Sequence, residues 1–325
     1  MLKFLLKRVS HMLGVLFVIS LVIFGMVKSM PGDPLNAYVG QGVELTAEKR
    51  IQLEERLGLN APLPIQYGKW IGRVLSGDFG ESITYKKPVK DAVRPFIINS
   101  FILNIGGFIL AFLISIPVGI MSAIKKYSLF DNFWTVFSLL GVCLPSFFLG
   151  LLLISVFSIK LGILPINGMI TPGKNSVGID KILDIGKYLV LPLTVVTLSS
   201  LASLVRYVRN AMLEVLSQDY IRTARSKGLN ARVVIYRHAL KNAMIPIITL
   251  IGFYIPALFG GATILETIFI WPGIGKELYS GVMSRDYNLV LALNMFFALL
   301  TLLGNLLADI GYATVDPRVK IIERS

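Results

Sequence analysis

The chain has few of the residue types that build metal centres, disulfides and acid–base sites. Its one cysteine, Cys143, lies in an apolar run, which excludes an intramolecular disulfide and a cysteine metal site. The two histidines, His11 and His238, lie on different segments and form no metal pair. No serine–histidine–acid set is apparent either. We therefore expect no catalytic, metal-binding or cofactor-binding residue in this chain.

Charge is scarce within the long apolar stretches, although the whole chain carries a formal net charge of +13. Ionisable side chains inside a membrane usually mark proton or ion relays. Here Glu266 and Asp309 stand only at segment ends. This scarcity argues against a proton-coupled transporter and against an intramembrane protease.

A nucleotide-binding loop is also missing. Gly275-Lys276 superficially resembles a phosphate loop, but Ile270 occupies the place of its first glycine and Glu277 that of the magnesium-binding Ser or Thr. We expect no ATP or magnesium site in this chain.

Long apolar runs are what the sequence has in abundance, since hydrophobic residues make up 54% of it. A spanning helix needs about 20 apolar residues to cross the roughly 30 Å hydrocarbon core. Backbone groups in lipid must be satisfied internally, and a closed barrel would show alternating segments of about ten residues. The sequence therefore predicts an all-α integral membrane protein with six transmembrane helices, over Val9–Val27, Pro95–Ile124, Asn132–Ile159, Tyr188–Val205, Asn242–Leu265 and Tyr287–Ala308.

The first of these runs could alternatively be a cleaved signal peptide, because Lys3, Lys7 and Arg8 precede it. The run is longer than the roughly 7–15 apolar residues of a signal core, and no small-x-small cleavage site follows it. We expect it to be retained as a membrane helix.

The distribution of basic residues predicts the orientation. With the N-terminus inside, the inner segments hold sixteen Lys and Arg. The outer ones hold seven once the long loop 30–94 is set aside, and that loop is largely exempt from the rule. Both termini are predicted to be cytoplasmic. This topological reading accounts for the basic charge without nucleic acid as a partner.

The predicted organisation has four parts. Residues 1–30 form the N-terminus and first helix, and 31–94 form a small extracellular helical loop domain. Residues 95–310 form a five-helix transmembrane core, and 311–325 form a cytoplasmic tail. Within the loop domain, we expect one helix from the N-cap Thr46 to a stop at Gly58 and another over Ile65–Leu75, stopped by Gly77.

Between the fifth and sixth predicted helices, residues 266–286 are amphipathic and aromatic, with a Pro-Gly break at Pro272-Gly273. This pattern predicts a re-entrant or interfacial segment on the outer side. A simple interfacial anchor built on Trp271 and Tyr279 is the alternative.

The inner loop 206–241 contains a basic helix–turn–helix. Met212, Ile221 and Ala224 recur at helical spacing on an apolar side, while Arg222, Arg225 and Lys227 populate the other. Gly228 suits the end of one helix and Asn230 the start of the next. The residues alone leave two interpretations open: a lever on which a partner pushes, or a basic loop bound to anionic headgroups.

The segment Arg222-Thr223-Ala224-Arg225-Ser226-Lys227-Gly228-Leu229 resembles the coupling-loop signature of ATP-binding-cassette importer permeases, in the B-type peptide-permease branch. The general signature begins Glu-Ala-Ala where this chain has Arg222-Thr223-Ala224, but Gly228 is kept. The resemblance covers nearly the whole chain, and its other fragments follow in the family's order: Pro31-Gly32-Asp33-Pro34, Gly77-Asp78-Phe79-Gly80-Glu81-Ser82, Trp271-Pro272-Gly273-Ile274-Gly275, Arg285-Asp286-Tyr287, Asn305-Leu306-Leu307-Ala308-Asp309 and Asp316-Pro317-Arg318.

The resemblance implies a type I importer permease fold in a bacterial cell membrane and a subunit that is not itself an enzyme. The implied partners are the lipid bilayer, a second homologous permease, two ATPase subunits that hold the ATP and magnesium, and an extracellular or periplasmic solute-binding lipoprotein. The implied ATPase-coupling residues are Tyr220, Arg222, Thr223, Ala224, Arg225, Lys227, Gly228 and Leu229. The implied gate or binding-protein contacts are Trp271, Pro272, Gly273 and Gly275.

Short peptides are the implied substrate, and nickel complexes, metallophores and oligosaccharides are the alternatives within the family. A stand-alone channel or secondary carrier is the alternative of another class. It would transport without ATPase subunits and should need ionisable residues at mid-membrane.

Overall fold

The computed structural model describes residues 2–29, 46–57, 60–174, 177–260 and 262–315. Twelve α-helices and one small hairpin form within these ranges. The helices are α1 (Leu2–Lys28), α2 (Ala47–Leu57), α3 (Leu63–Leu75), α4 (Val89–Ile124), α5 (Leu129–Cys143), α6 (Ser146–Leu153), α7 (Ile179–Leu216), α8 (Asp219–Ser226), α9 (Leu240–Phe259), α10 (Thr263–Ile268), α11 (Ile274–Met283) and α12 (Tyr287–Val315). The antiparallel strands are β1 (Glu81–Ser82) and β2 (Lys87–Pro88).

Four described helices are long and apolar enough to cross a membrane: α1 over Leu6–Lys28, α4, α7, and α12 over Tyr287–Leu307. They coincide with the first, second, fourth and sixth predicted segments, so the prediction of long apolar helices there is confirmed. The observed α4 and α7 begin before the predicted starts at Pro95 and Tyr188, because polar ends continue each helix beyond its apolar run.

The third predicted segment is not a straight helix. It is divided into α5 and α6, and the two parts meet at an angle of 102°. Leu144 is extended at ψ 125° directly before Pro145, as expected for a residue preceding proline. The continuous helix predicted over Asn132–Ile159 is therefore wrong, and a short π-helical segment, Ile154–Lys160, ends its second arm.

The fifth predicted segment ends earlier than expected. Its helix, α9, is 20 residues long and stops at Phe259. Leu265, the predicted end, lies instead in the separate helix α10. The residues searched for spans hold four candidates, or five if the bent pair counts as one span.

Helices α4 and α7 pack closely along their length. A Cβ atom placed on Gly107 would lie 2.4 Å from Val196 Cγ1, and one on Gly119 would lie 2.7 Å from Val208. Small residues permit this approach of neighbouring membrane helices. The loop 206–241 begins in the last part of α7, one of these two helices.

The segment between α1 and α4 contains the two predicted helices and one unpredicted hairpin. Helix α2 begins directly after Thr46, as predicted, whereas its predicted stop at Gly58 lies outside the described residues. Helix α3 ends before Gly77, whose positive φ of 81° fits a helix stop. Trp70 on α3 is buried against Phe24 of α1. This part of the loop therefore packs onto the long helices.

Candidate functional site

Helix α8 stands at the turn between α7 and α9, and its end has the hydrogen bonds of a Schellman motif. The amide of Leu229 donates to Ala224 O over 3.4 Å, and that of Gly228 donates to Arg225 O over 3.0 Å. Gly228 lies in the left-handed region at φ 75°, where glycine avoids the steric cost that a side chain would meet. The predicted helix stop at Gly228 is confirmed.

The next helix begins at Asn230, also as predicted. Its Oδ1 accepts a hydrogen bond of 2.9 Å from the amide of Arg232, as an N-cap side chain does. The chain then continues through a π-helical segment, Val233–Ala239, directly into α9. The turn after α8 is therefore short and is fixed by side-chain and backbone hydrogen bonds.

The inner face of α8 is packed against the body of the protein. Ile221 is fully buried and Ala224 nearly so. They share a cluster with Met212 of α7, Val234 of the π-helical segment and Ile247 of α9. Burying one side chain such as Ile221 contributes about 1.5–3 kcal/mol outside the membrane. Helix α8 is therefore packed against α7 and α9. Ala224, predicted to contact a partner, points into this cluster.

The outer face of α8 is open to solvent. Arg222 has 80% of its side chain exposed, and its nearest acid, Asp219, lies 3.7 Å away and is itself exposed. Such a pair contributes little stability. The other predicted coupling residues on this surface are also exposed: Tyr220, Thr223, Arg225, Lys227, Gly228 and Leu229. Nothing lies within 4 Å of a Cβ built on Gly228. The outer face of α8 is thus basic and exposed, and the inner face of the same helix is packed against the protein.

A buried ion pair, which the sequence reasoning missed, supports the base of this loop. Arg209 of α7 donates to Asp131 of α5 through two bonds, Nε to Oδ1 at 2.6 Å and Nη2 to Oδ2 at 2.8 Å. Asp131 is almost fully buried and also accepts from the amide of Tyr127 at 2.8 Å. The two residues are 78 positions apart in sequence, so no local spacing could have indicated their contact.

The second predicted site, residues 266–286, contains two short helices, α10 and α11, joined by a turn at Phe269–Gly273. Trp271 is fully buried in this turn, and its Nε1 donates to Asn99 O of α4 over 3.2 Å. Asn99 in turn donates through Nδ2 to Pro272 O at 2.9 Å. The structure brings Trp271, Pro272 and Gly273 together with α4, and the indole of Trp271 faces the protein interior.

A buried carboxylate organises the same turn. Glu266 is fully buried, and its oxygens accept from Ser100 Oγ at 2.5 Å and from the amide of Lys276 at 2.9 Å. Ser100 Oγ also accepts from the amide of Ile274 at 2.8 Å. Both amides belong to the first turn of α11. The Glu266 carboxylate therefore caps this helix from outside it and lies at the positive end of the helix dipole.

Gly273 of this turn and Gly275 of α11 leave room for close contacts with α10. A Cβ on Gly273 would lie 2.2 Å from the carboxyl carbon of Glu266, and one on Gly275 would lie 2.6 Å from Thr263 Oγ1. The close contacts that require glycine at these two positions are therefore with other residues of this chain. Sequence reasoning placed Glu266 at a segment end and missed its role; an acid in an apolar run followed by Gly273 and Gly275 was the available signal.

The β1–β2 hairpin is fastened to the same region by two acids. Asp286 is fully buried, and its Oδ2 accepts from Ser82 Oγ at 2.5 Å and from the amide of Thr84 at 3.0 Å. Tyr85 donates its hydroxyl proton to Glu277 of α11. Burial, together with the hydrogen bond to Glu277 and its negative charge, raises the pKa of Tyr85 well above its usual value. Tyr85 is therefore a neutral donor at physiological pH.

Comparison with known proteins places this architecture in a family. Residues 115–321 match the family model described as the inner membrane component of binding-protein-dependent transport systems, and residues 1–89 match its N-terminal companion. The oligopeptide transport system permease protein AppB of Bacillus subtilis is 39% identical over 98% of this chain and 100% of its own length. The dipeptide transport system permease proteins DppB of Alkalihalophilus pseudofirmus and Escherichia coli are 36% and 35% identical, each over 98% of this chain and at least 99% of their own.

These matches span the loop 206–241 and the turn around Trp271, and they agree with a protein of several long apolar helices. The chain is a multi-pass membrane protein, and it belongs to the family of permease components of binding-protein-dependent, ATP-binding-cassette import systems.

Proposed function

We propose that this chain is one permease subunit of an importer for short peptides. The relatives that match it over their full length carry peptide, dipeptide or oligopeptide permease in their names. Together with a second homologous permease, the chain would form the translocation pathway. Six spans with both termini cytoplasmic, of which α9 and the bent α5–α6 pair are two, would bring the loop 206–241 to the cytoplasmic side.

The ATPase-coupling element in this proposal is α8. The observation that carries it is the two-faced construction of the helix. A basic outer face is open to a partner, and an inner face is anchored through Ile221 to α7 and α9. ATP and magnesium would bind in the two partner ATPase subunits. Their closure would push on the outer face, and the packed cluster would pass the movement to the membrane helices.

The turn around Trp271 would act at the opposite end of the pathway. Its contacts with Asn99 and Ser100 join it to α4, so we expect it to move with α4 as one body. A solute-binding lipoprotein would deliver the peptide to this side. In this arrangement Trp271, Gly273 and Gly275 shape the gate from within, and the exposed surface of α11 meets the binding protein.

Reconstitution tests the proposal directly. Liposomes that contain this chain, the second permease, the ATPases and the binding protein should accumulate labelled dipeptide or oligopeptide only when ATP is supplied to the ATPase side. The chain alone should accumulate none. Uptake by the chain alone would overturn the proposal in favour of a channel or secondary carrier. ATP-driven uptake of a nickel complex or an oligosaccharide but no peptide would reject the substrate.

A matched pair of substitutions tests the coupling surface. Gly228→Asp should leave the protein in the membrane but abolish ATP-driven uptake, because its side chain enters the open space that a partner would fill. Gly77→Asp is the control, since Gly77 also has a positive φ, of 81°, and open space around it, but lies at the end of α3. Equal uptake by the two variants would reject the assignment of α8.

A further inference from the structure

A long apolar groove lies between α1, α3, α4 and α12, apart from both sites described above. Its volume is about 710 Å³, within the roughly 300–1,000 Å³ of cavities that hold small molecules. Exposed side chains such as Leu13, Phe17 and Ile98 line it, so the groove is open to the surroundings of the protein. It therefore lies on the outer surface of this chain, bordered by the long apolar helices α1, α4 and α12.

The walls of the groove offer almost nothing to a polar solute. Ser20 is the one uncharged polar residue of the lining, and its Oγ already donates to Phe17 O and bonds Tyr67 Oη, each at 2.7 Å. A buried polar group without a partner is costly, so a polar solute would gain no compensation here. A hydrocarbon chain, by contrast, suits the apolar part of the lining.

Two cations lie at one end of the groove. Lys90 and Arg94 stand one turn apart on the first part of α4 and line the groove on the same helix face as Val93 and Ile97. Neither makes an ion pair with another residue of the described ranges. From Lys90 to Ile98 the helix rises about 12 Å, so the lining changes from charged to hydrocarbon over nearly one leaflet, which is about 15 Å deep.

We propose that this groove binds an anionic phospholipid of the leaflet in which α4 begins. One acyl chain lies along Leu13, Phe17 and Phe296, and the phosphate pairs with Lys90 and Arg94. The charge of the two cations favours a net-anionic headgroup over a zwitterionic one, because basic residues at a membrane surface attract anionic lipid. This proposal requires only that the chain lies in a membrane, as its family does. It does not depend on the substrate or on coupling through α8.

A lipid-exchange experiment tests the site. The assembled transporter, purified from liposomes with equal amounts of phosphatidylglycerol and phosphatidylcholine, is analysed by native mass spectrometry. The wild type should retain phosphatidylglycerol in preference. Lys90→Gln with Arg94→Gln should reduce its retention by roughly tenfold to thirtyfold and leave phosphatidylcholine little changed.

The matched control is Lys69→Gln with Arg73→Gln. These two cations have the same i,i+4 spacing on the exposed surface of α3 but do not line the groove. Their removal should leave lipid retention unchanged. A steric variant, Leu13→Trp, should narrow the apolar end and lower retention of both lipids.

Three results would overturn the proposal. The first is undiminished phosphatidylglycerol on the variant without Lys90 and Arg94. The second is an equal loss on the α3 control, which would mean a general surface-charge effect. The third is efficient crosslinking of a cysteine at Ile98 to the second permease, which would mean that a protein helix fills the groove. Peptide uptake is measured in parallel, so that failure of transport and failure of lipid binding are separate outcomes.

Discussion

At the scale of single residues, burial rather than exposure marks the organising groups of this protein. Glu266 and Asp286 are fully buried acids, and each accepts hydrogen bonds from a serine hydroxyl and from backbone amides. A buried charge persists only when such partners satisfy it. Each acid fastens a distant segment to the start of a helix, α11 for Glu266 and α12 for Asp286.

Gly273→Ala tests the fit around Glu266. The added methyl would collide with the carboxylate, and overpacking of a tight site costs typically about 1–3 kcal/mol. We expect a clear fall in the thermal unfolding temperature of the purified protein. Gly72→Ala is the control, because Gly72 lies within α3 with nothing near its Cβ and the change should raise stability by about 0.5–1 kcal/mol. Equal stability of the two variants would contradict the proposed packing.

The raised pKa of Tyr85 predicts that the stability contributed by this residue depends on pH. Its pKa is raised in the folded protein, so the stability it contributes is fully present below its unfolded pKa, about 10, and is lost as the pH rises above that value. The difference in unfolding temperature between wild type and Tyr85→Phe should be constant up to about pH 10 and should shrink above it. A difference that grows with pH would contradict the assigned direction.

At the scale of elements, local sequence patterns predicted where helices begin and end, but they did not predict contacts between distant segments. The end of α8 at Gly228 and the next start at Asn230 follow from backbone preferences that act within a few residues. The contact between Asp131 and Arg209 joins residues 78 apart and has no such signal. The 102° bend at Pro145 was not predicted either, and its second arm, α6, packs against α7 and α10.

The β1–β2 hairpin was missed because its strands are only two residues each. No alternating pattern can be recognised over so short a run. Its position depends on Asp286 and Glu277, which lie some 200 residues further along the chain.

Asp131→Asn tests the link between α5 and α7. The substitution leaves Arg209 without its counter-charge at a site where only 20% of its side chain is exposed. Removing one partner of such a pair costs on the order of 3 kcal/mol, and we expect a lower unfolding temperature and weaker coupling of ATP hydrolysis to uptake. Asp219→Asn, which removes the exposed partner of Arg222, should change stability by less than about 1 kcal/mol. Similar losses in both variants would show that the buried pair has no special role.

At the scale of the whole molecule, the turn around Trp271 and helix α8 are connected through the helix pair α4 and α7. The turn around Trp271 is joined to α4 at Asn99 and Ser100, and α8 is joined to α7 through Met212. Since α4 and α7 pack closely between these two elements, we expect a movement of one element to reach the other through them. Family membership was predictable from ordered motifs, whereas this internal connection required the structure.

Crosslinking in the assembled transporter tests the proposal that mechanical work enters this chain through the outer face of α8. With Cys143 replaced by alanine, a cysteine at the exposed Thr223 should crosslink efficiently to an ATPase subunit, and the crosslink should respond to ATP. A cysteine at Lys69, on α3, should not crosslink to that subunit. If Thr223→Cys finds no ATP-hydrolysing neighbour while the transporter still takes up peptide, the coupling role of α8 is contradicted.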